Sequence, residues 1–255
     1  MDELKIIKVG GKIVEEADSL RELLDNFVQL KGKKILVHGG GRAATAMSEQ
    51  LGIETKMIDG RRITDIATLD VVTMVYGGKV NKKIVTELQN RKVNAIGLTG
   101  ADMNCVNSAK RAVKDIDYGY VGDIKNINTR SFKTLLDSDI IPVMAPLSYD
   151  HKLGSLLNTN ADTMASEIAI ALSKEYRVSL IYCFEKDGVL LDHQDNDSVI
   201  GNLSKDYYEE LKSKKIIIDG MIPKLDNAFN AKAGGVNNIQ ITNHKNISSE
   251  KGTVI

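Results

Sequence analysis

Two glycine clusters follow the first two predicted strands, a position in which glycines can bind anions. Gly10-Gly11 comes directly after an apolar run that ends at Val9, and Gly39-Gly40-Gly41 follows a second run that ends at His38. Glycine lets backbone N–H groups approach an anion closely, and the start of the following helix adds favourable partial charge. Tight turns needed only for packing would explain one cluster. Two clusters at the carboxyl ends of neighbouring strands favour a site for two adjacent anionic groups.

Two lysines could each contact an anionic ligand. Lys8 lies inside the first apolar strand, so its side chain either faces solvent or reaches over the strand end toward a ligand. Lys224 follows Pro223 in the first turn of a helix predicted at 222–233, where a cation opposes the helix dipole unless an anion lies between them. A solvated surface lysine is the alternative interpretation of both.

Two further groups of polar residues stand out, one at the start of a later predicted helix and one in a turn. Asn158 and Asn160 precede a helix predicted at 160–173, and Asp162 lies in its first turn, where an acidic group suits the helix dipole. Capping by Asn160 leaves the other asparagine unexplained. In Arg61-Arg62, either guanidinium could bind a carboxylate through two hydrogen bonds, although paired surface arginines are common.

The composition argues against several classes of function. Lys+Arg and Asp+Glu each number 34 in 255 residues, so no overall positive charge would concentrate nucleic acid. The two cysteines form no CxxC, and the four histidines share no metal-ligand spacing and are expected to be structural or exposed. No apolar run approaches roughly 18 residues, and the acidic N-terminus does not resemble a signal peptide. We therefore expect no metal ligands, no membrane span and a cytoplasmic location.

Two nucleotide-binding motifs compete with this interpretation. Gly39-x-Gly41-x-x-Ala44 fits the looser dinucleotide fingerprint, with Asp59 as a candidate ribose contact. That fingerprint normally occupies the first strand–helix turn, whereas here it follows the second strand and leaves Lys8 unexplained. The Walker A pattern G-x-x-x-x-G-K-[ST] matches no window of the sequence, which excludes a P-loop.

The order of predicted elements indicates an α/β fold. Strands at 6–9, 34–38, 94–98, 140–143, 178–182 and 238–241 alternate with helices at 17–30, 66–91, 160–173 and 222–233. A further helix after the second glycine cluster is predicted from Ala43, Ala44, Met47 and Leu51, which would share one side. Such alternation is typical of an open, mainly parallel central sheet sandwiched between helices. Residues 103–128 and 147–157 break the alternation and predict antiparallel hairpins, which could overhang the sheet as lids.

Six motifs occur in order along nearly the whole chain: Lys-Val-Gly-Gly at 8–11, His-Gly-Gly-Gly at 38–41, Gly-Arg-Arg-Ile-Thr at 60–64, Asn-Thr-Asn-Ala-Asp at 158–162, Asp-Gly-Met-Ile-Pro-Lys at 219–224 and Gly-Thr at 252–253. Together they resemble the amino acid kinase superfamily and, within it, the acetylglutamate kinase family. The resemblance implies the amino acid kinase fold. It also implies ATP-dependent phosphorylation of the side-chain carboxylate of N-acetylglutamate in arginine biosynthesis.

The same resemblance implies roles for individual residues. Lys8 and Lys224 would flank the transferred phosphoryl group, and Asp162 would hold both lysines. The acylglutamate would be bound by Gly39, Gly40, Arg62 and Asn158. The nucleotide would be bound by Gly10, Gly11, Glu185, Asp187, Gly188, Ile217, Gly220 and Met221. Mg²⁺ would be carried by ATP, with no dedicated protein ligand.

The resemblance further implies two lobes. Residues 1–173 would bind the acylglutamate and dimerise, and residues 174–255 would bind the nucleotide. Arginine-inhibited hexameric relatives carry an extra N-terminal helix, which has no counterpart here. We therefore expect a homodimer without arginine feedback.

Departures from the family pattern leave alternatives open. Glu185 stands where the family usually has an aspartate, and Tyr76 stands where smaller apolar residues are common. N-succinylglutamate is therefore a second candidate acceptor, and uridylate and carbamate kinases are alternatives within the superfamily. A nucleotide-binding sensor without catalysis and a dinucleotide-dependent oxidoreductase are the alternatives from other classes.

Overall fold

The fold is built on a seven-stranded sheet that is parallel except at one edge. A computed structural model describes residues 1–58, 60–218 and 220–255, so Asp59 and Asp219, named above in two motifs, lie outside the described residues. The strand order is β13-β12-β11-β1-β2-β8-β5, and only the β12–β13 pair is antiparallel. The strands are β1 (Glu3–Val9), β2 (Lys33–His38), β5 (Ala95–Leu98), β8 (Ile141–Met144), β11 (Arg177–Phe184), β12 (Asn238–Asn243) and β13 (Thr253–Val254).

Helices cover both faces of this sheet, as the alternating pattern predicts. They are α1 (Gly11–Glu15), α2 (Ala17–Gln29), α3 (Gly41–Gln50), α4 (Ile66–Val72), α5 (Asn81–Asn90), α6 (Thr129–Asp137), α7 (Ala161–Leu172), α8 (Lys205–Ser213) and α9 (Met221–Ala233). The predicted helix at 66–91 is continuous but changes type, because a π-helical segment, Thr73–Val80, joins α4 to α5. The sequence analysis did not predict α1, α6 or α8.

The side chains of β1 point alternately to the two faces of the sheet and enter two separate apolar clusters. Leu4 and Ile6 belong to one buried cluster, and Ile7 and Val9 belong to the other. Successive strand residues point to opposite faces, so Lys8 projects on the same face as Leu4 and Ile6. Ala165 and Ile168 of α7 pack in that cluster, which places the start of α7 near the end of β1.

The two predicted hairpins form a separate four-stranded sheet. Its order is β10-β9-β6-β7, where β6 is Val106–Lys110, β7 is Gly122–Ile127, β9 is Leu147–Asp150 and β10 is Ser155–Asn158. The β6–β7 and β9–β10 pairs are antiparallel, so both hairpin predictions are confirmed. A third, smaller hairpin joins β3 (Met57–Ile58) to β4 (Arg61–Arg62).

The main sheet runs without a break across the predicted lobe boundary at 173. β1 pairs with β11 over its whole length, from Glu3 opposite Arg177 to Val9 opposite Cys183. The two predicted lobes therefore share one sheet. Among the described residues, no helix is long and apolar enough to cross a membrane.

Candidate active site

The two glycine clusters lie side by side at the carboxyl ends of the central strands. The Gly39 N–H donates to the Val9 carbonyl at 2.9 Å, and the Gly10 N–H donates to the Cys183 carbonyl at 3.1 Å. A methyl group added at Gly11 would lie 3.5 Å from the Gly40 nitrogen. The two loops therefore lie close together, which is consistent with the hypothesis of two adjacent anionic groups.

Lys8, Asp162 and Lys224 meet beside these loops. Lys8 Nζ lies 2.8 Å from Asp162 Oδ1, and Lys224 Nζ lies 3.7 Å from the same oxygen. The side chains of Lys8 and Lys224 are 8% and 11% exposed, which excludes the alternative of two surface lysines. A buried lysine needs a counterion, and one carboxylate here serves two ammonium groups. The structure brings together the three predicted catalytic residues, and their roles stay predictions.

Helix α7 fixes the position of Asp162. The Asn160 side chain caps this helix by accepting hydrogen bonds from the N–H groups of Asp162 and Thr163, at 2.8 and 3.0 Å. The buried Tyr182 hydroxyl donates to the Asp162 carbonyl at 3.4 Å, which ties the first turn of α7 to β11. The cap predicted from sequence is therefore present, and it holds the carboxylate against β1.

The electrostatics of the cluster follow from burial and from charge pairing. Burial raises the pKa of Asp162, but the nearby ammonium groups of Lys8 and Lys224 outweigh this and lower the pKa to about 2. Burial, and then repulsion from Lys8, lower the pKa of Lys224, while Asp162 partly restores it. The cluster carries one negative and two positive charges when both amines are protonated, and this net positive charge suits an anionic ligand.

Acid should weaken the fold through Asp162. The pKa of this carboxyl is about 2 in the folded chain against 3.8 in the unfolded one, so its stabilisation is complete above about pH 4 and is lost as pH falls through 2. The shift corresponds to about 2 kcal/mol of the free energy of unfolding. Urea unfolding at several pH values between 5 and 2 should show a shallower pH dependence in Asp162→Asn than in the unchanged protein. Parallel pH dependences would contradict this prediction.

A cavity of about 380 Å³ opens next to the cluster and is lined by all four residues predicted to bind the acceptor. These are Gly39, Gly40, Arg62 and Asn158. The cavity lies under the second sheet, because Gly122 of β7 and Asn158 of β10 also line it. The hairpins therefore roof the cavity, as their predicted lid role requires.

Three hydrogen bonds to neighbouring residues orient the guanidinium of Arg62. It is 7% exposed, and its Nη2 donates to the Gly41 carbonyl at 2.9 Å and to Thr45 Oγ1 at 2.7 Å, while Nη1 donates to Thr55 Oγ1 at 3.1 Å. Asn158 Nδ2 donates to Thr64 Oγ1 at 3.0 Å. None of the three acceptors that Arg62 contacts is a carboxylate, so its guanidinium keeps an uncompensated charge for a ligand.

Apart from Gly10 and Gly11, the predicted nucleotide-binding residues follow β11, which borders β1 on the side opposite β2. The Glu185 carbonyl accepts a hydrogen bond from Asn243 Nδ2 at 2.8 Å, and Thr253 Oγ1 accepts one from the N–H that follows Gly188, at 2.8 Å. Gly220 precedes α9, whose first residue is Met221. Asp187 Oδ1 accepts a weak hydrogen bond from Asn246 Nδ2, at 3.4 Å.

Ile217 does not fit an open nucleotide site through its side chain. It is 1% exposed and packs in the apolar core, so only its backbone could contact a ligand. The side chain of Glu185 is exposed, and its Oε1 lies 3.9 Å from Nζ of Lys12 at the start of α1.

Sequence reasoning missed three charged residues that line the cavity, namely Arg111, Asp123 and Glu167. Arg111 Nη2 lies 2.6 Å from Asp123 Oδ1, and no local sequence motif marks Arg111. Burial raises the pKa of Glu167. Tyr76, which the sequence analysis linked to the choice of acceptor, also lines the cavity. Its ring packs against Gly40, where an added methyl group would lie 2.9 Å from its Cδ1.

A mainly parallel sheet, two glycine loops and a shared lysine–aspartate cluster beside a cavity lined by Arg62 agree with the kinase class that the sequence predicts. The family model described as "Amino acid kinase family" matches residues 3–243. The chain therefore belongs to the amino acid kinase family.

Within that family, full-length relatives are named acetylglutamate kinase. An acetylglutamate kinase of Phocaeicola vulgatus is 56% identical over 254 residues, covering 100% of this chain and 98% of the relative. One from Parabacteroides distasonis is 54% identical over 253 residues, covering 99% of each. Among solved structures, smu.665 from Streptococcus mutans superposes with a TM-score of 0.83 at 28% identity, covering 99% of this chain and 98% of that one. The relatives place the chain among the acetylglutamate kinases.

Proposed function

We propose that the chain transfers the γ-phosphoryl group of ATP to the side-chain carboxylate of N-acetylglutamate, a step in arginine biosynthesis. The observation that carries this proposal is that Lys8 and Lys224 both contact Asp162. This cluster lies directly beside the cavity that Arg62 lines. The naming of full-length relatives as acetylglutamate kinases supports the choice of acceptor.

The chemistry needs charge neutralisation more than proton transfer. An acceptor carboxylate is already ionised near neutral pH, so the reaction needs no general base. Phosphoryl transfer spreads negative charge over the oxygens of the moving group, and preorganised cations lower the barrier. Lys8 and Lys224 would supply those cations, and Asp162 would keep their amines together before the substrates arrive.

The acceptor would lie in the cavity between the main sheet and the hairpins. We propose that Arg62 binds one carboxylate of the acceptor, and that Asn158 and the backbone of Gly39 and Gly40 contribute hydrogen bonds. The reacting carboxylate would then face Lys8. Residues 1–173 supply all of these groups, which supports the proposal that this part of the chain binds the acceptor.

The nucleotide would lie across residues 174–255 and the first glycine cluster. Gly10, Gly11 and Gly220 would approach the phosphates, while Glu185, Asp187, Gly188 and Met221 and the backbone of Ile217 would border the nucleoside. The described residues bring no three His, Cys, Asp or Glu side chains together as a metal site, so we propose that Mg²⁺ enters bound to ATP and neutralises its phosphates. We further propose a cytoplasmic homodimer that contacts neither nucleic acid nor membrane.

An acceptor panel tests the proposed function. Purified protein would be given MgATP with N-acetylglutamate, N-succinylglutamate, aspartate, carbamate or uridylate, and ADP release would be measured. We expect turnover with N-acetylglutamate and none with carbamate or uridylate. If neither acylglutamate is turned over, the proposal is refuted. Binding of ATP with no transfer to any acceptor would favour a sensor.

N-succinylglutamate is a second candidate acceptor, and one observation favours it. This molecule carries a further carboxylate, which needs a further cation. Arg111 lines the same cavity, and its buried Nη1 has no hydrogen-bond partner within the parts of the chain that the structure describes. If the succinyl compound is the better acceptor, Arg111→Met should raise its KM and leave the KM of the acetyl compound unchanged.

Arg62→Lys should weaken acceptor binding selectively. Lysine keeps the charge but loses the planar fork that binds a carboxylate through two hydrogen bonds. A hydrogen bond to a charged group contributes about 1.5–3 kcal/mol, so the KM for the acceptor should rise on the order of 10- to 100-fold. The KM for ATP should stay unchanged. Arg42→Lys, on the exposed face of α3, is the matched control. Equal changes of both KM values in Arg62→Lys would contradict the assignment.

A further inference from the structure

His38 is fully buried at the end of β2, directly before the second glycine cluster, and the proposed chemistry does not use it. A buried polar ring requires hydrogen-bond partners. Nδ1 lies 2.9 Å from the Gly39 carbonyl oxygen, and Nε2 lies 3.1 Å from Asn81 Nδ2. The ring therefore connects the glycine cluster to the first residue of α5.

The partners determine which ring nitrogen carries the proton. The Gly39 carbonyl only accepts, so Nδ1 must donate to it. Asn81 Nδ2 also donates to the Val143 carbonyl at 2.9 Å, and this bond fixes the orientation of the amide. The second N–H of that amide then donates to Nε2, which must be unprotonated. Burial lowers the pKa of His38 to about 4, so the ring is neutral at pH 7.

The bond from His38 to Gly39 has a direct consequence for the cavity. In a trans peptide the C=O and the following N–H point in opposite directions. Holding the Gly39 carbonyl against His38 therefore fixes the direction of the Gly40 N–H. Gly39 and Gly40 both line the acceptor cavity.

The π-helical segment holds the same loop at a second point. It ends immediately before Asn81, and it carries Tyr76, whose ring packs against Gly40. π-helical turns are rare and frequent at functional sites. The π-helical segment thus contacts the loop directly through Tyr76. The helix α5 that continues it contacts the loop indirectly, through Asn81 and His38.

We propose that His38 and Asn81 are positioning residues that orient the Gly39–Gly40 peptide for acceptor binding. This inference rests on the proposed function, because it concerns the same cavity. His38 acts through the backbone, and Asn81 acts through His38.

Gly97 offers a way to disturb this network from outside the cavity. Gly97 belongs to β5, and a methyl group there would overlap Asn81 Oδ1. Gly97→Ala therefore forces the Asn81 amide to move without placing any atom among the residues that line the cavity. The matched control is Gly201→Ala, because an added methyl group at Gly201 meets nothing within 4 Å.

Two substitutions of His38 separate positioning from stability. In His38→Asn the amide N–H lies near the Nδ1 position and can still donate to Gly39. In His38→Gln the amide lies near the Nε2 position and loses that bond. Both should lower the melting temperature. Only His38→Gln and Gly97→Ala should raise the KM for the acceptor, by about 3- to 10-fold, the effect of one hydrogen bond, with the KM for ATP unchanged.

Steady-state kinetics of the four variants give the decisive comparison. An acceptor KM that rises in His38→Gln and Gly97→Ala, but not in His38→Asn or Gly201→Ala, supports the proposal. An unchanged acceptor KM in Gly97→Ala, or equal changes for ATP and acceptor, would overturn it.

An NMR measurement tests the network independently of activity. Long-range ¹H–¹⁵N correlations of the histidine rings should show His38 neutral and protonated on Nδ1 between pH 6 and 8. A ring protonated on Nε2, or a charged ring, would overturn the inference. Absence of turnover in the unchanged protein would instead refute the proposed function and leave this NMR result to be judged separately.

Discussion

Lys8→Met is expected to lower kcat by a factor on the order of 10²–10³, the loss seen when one preorganised electrostatic group is removed from an active site. Methionine preserves the apolar stem of the side chain and removes only the ammonium group. Because Asp162 keeps Lys224 as a partner, we expect the variant to fold. Initial rates at saturating MgATP and N-acetylglutamate measure the effect, and the melting temperature reports on folding.

Lys5→Met is the matched control for this prediction. Lys5 lies on the same strand, but its Nζ donates to the Lys31 carbonyl, away from the glycine clusters. We expect full activity from this variant. A Lys8→Met enzyme with a kcat within a few-fold of the unchanged protein would exclude Lys8 from phosphoryl transfer.

Asp162→Asn is expected to shift the alkaline limb of the kcat–pH profile to lower pH. In its proposed role Lys224 must be protonated to neutralise the phosphoryl group, so we expect activity to be lost as pH rises through its folded pKa. Burial and Lys8 already lower that pKa, and Asp162 opposes both effects. Removing the carboxylate therefore lowers the pKa of Lys224 further. At pH 8 we expect kcat to fall on the order of 10- to 100-fold.

Asp65→Asn is the control for the loss of a carboxylate. Asp65 caps α4 by accepting from the Thr68 N–H at 2.8 Å, and asparagine is an equally good cap. Its pH profile should match that of the unchanged protein. If Asp162→Asn lowered kcat by the same factor at every pH, the proposed control of Lys224 protonation would be wrong.

The sequence predicts most of the fold because apolar periodicity is strong in most elements. The helix at 160–173 and the parallel strands follow directly from their buried faces, and the structure confirms them. Helix α8 was not predicted because only Tyr208 and Leu211 in it are buried, which gives little periodic signal. The π-helical segment was not predicted either, since a change of helix type depends on tertiary packing and leaves the apolar pattern helical.

The site is harder to predict because its residues are far apart in the chain. Local signals suggested Lys8, Asp162 and Lys224 separately, each with an adequate structural explanation. Only the resemblance to a family put them in one place. Arg111 and Glu167 carry no local signal at all, because they reach the cavity from a hairpin and from the second turn of a helix.

The crystal structure of the protein with Mg²⁺, ADP, aluminium fluoride and N-acetylglutamate tests the central claim most directly. The planar fluoride imitates the moving phosphoryl group between the nucleotide and the acceptor carboxylate. We expect Lys8 Nζ and Lys224 Nζ to lie within about 3 Å of its fluorine atoms, the distance of a charge-assisted hydrogen bond, with Asp162 still between the two amines. A complex in which either amine points away from the fluoride, or in which the acceptor lies outside the Arg62 cavity, would contradict the account.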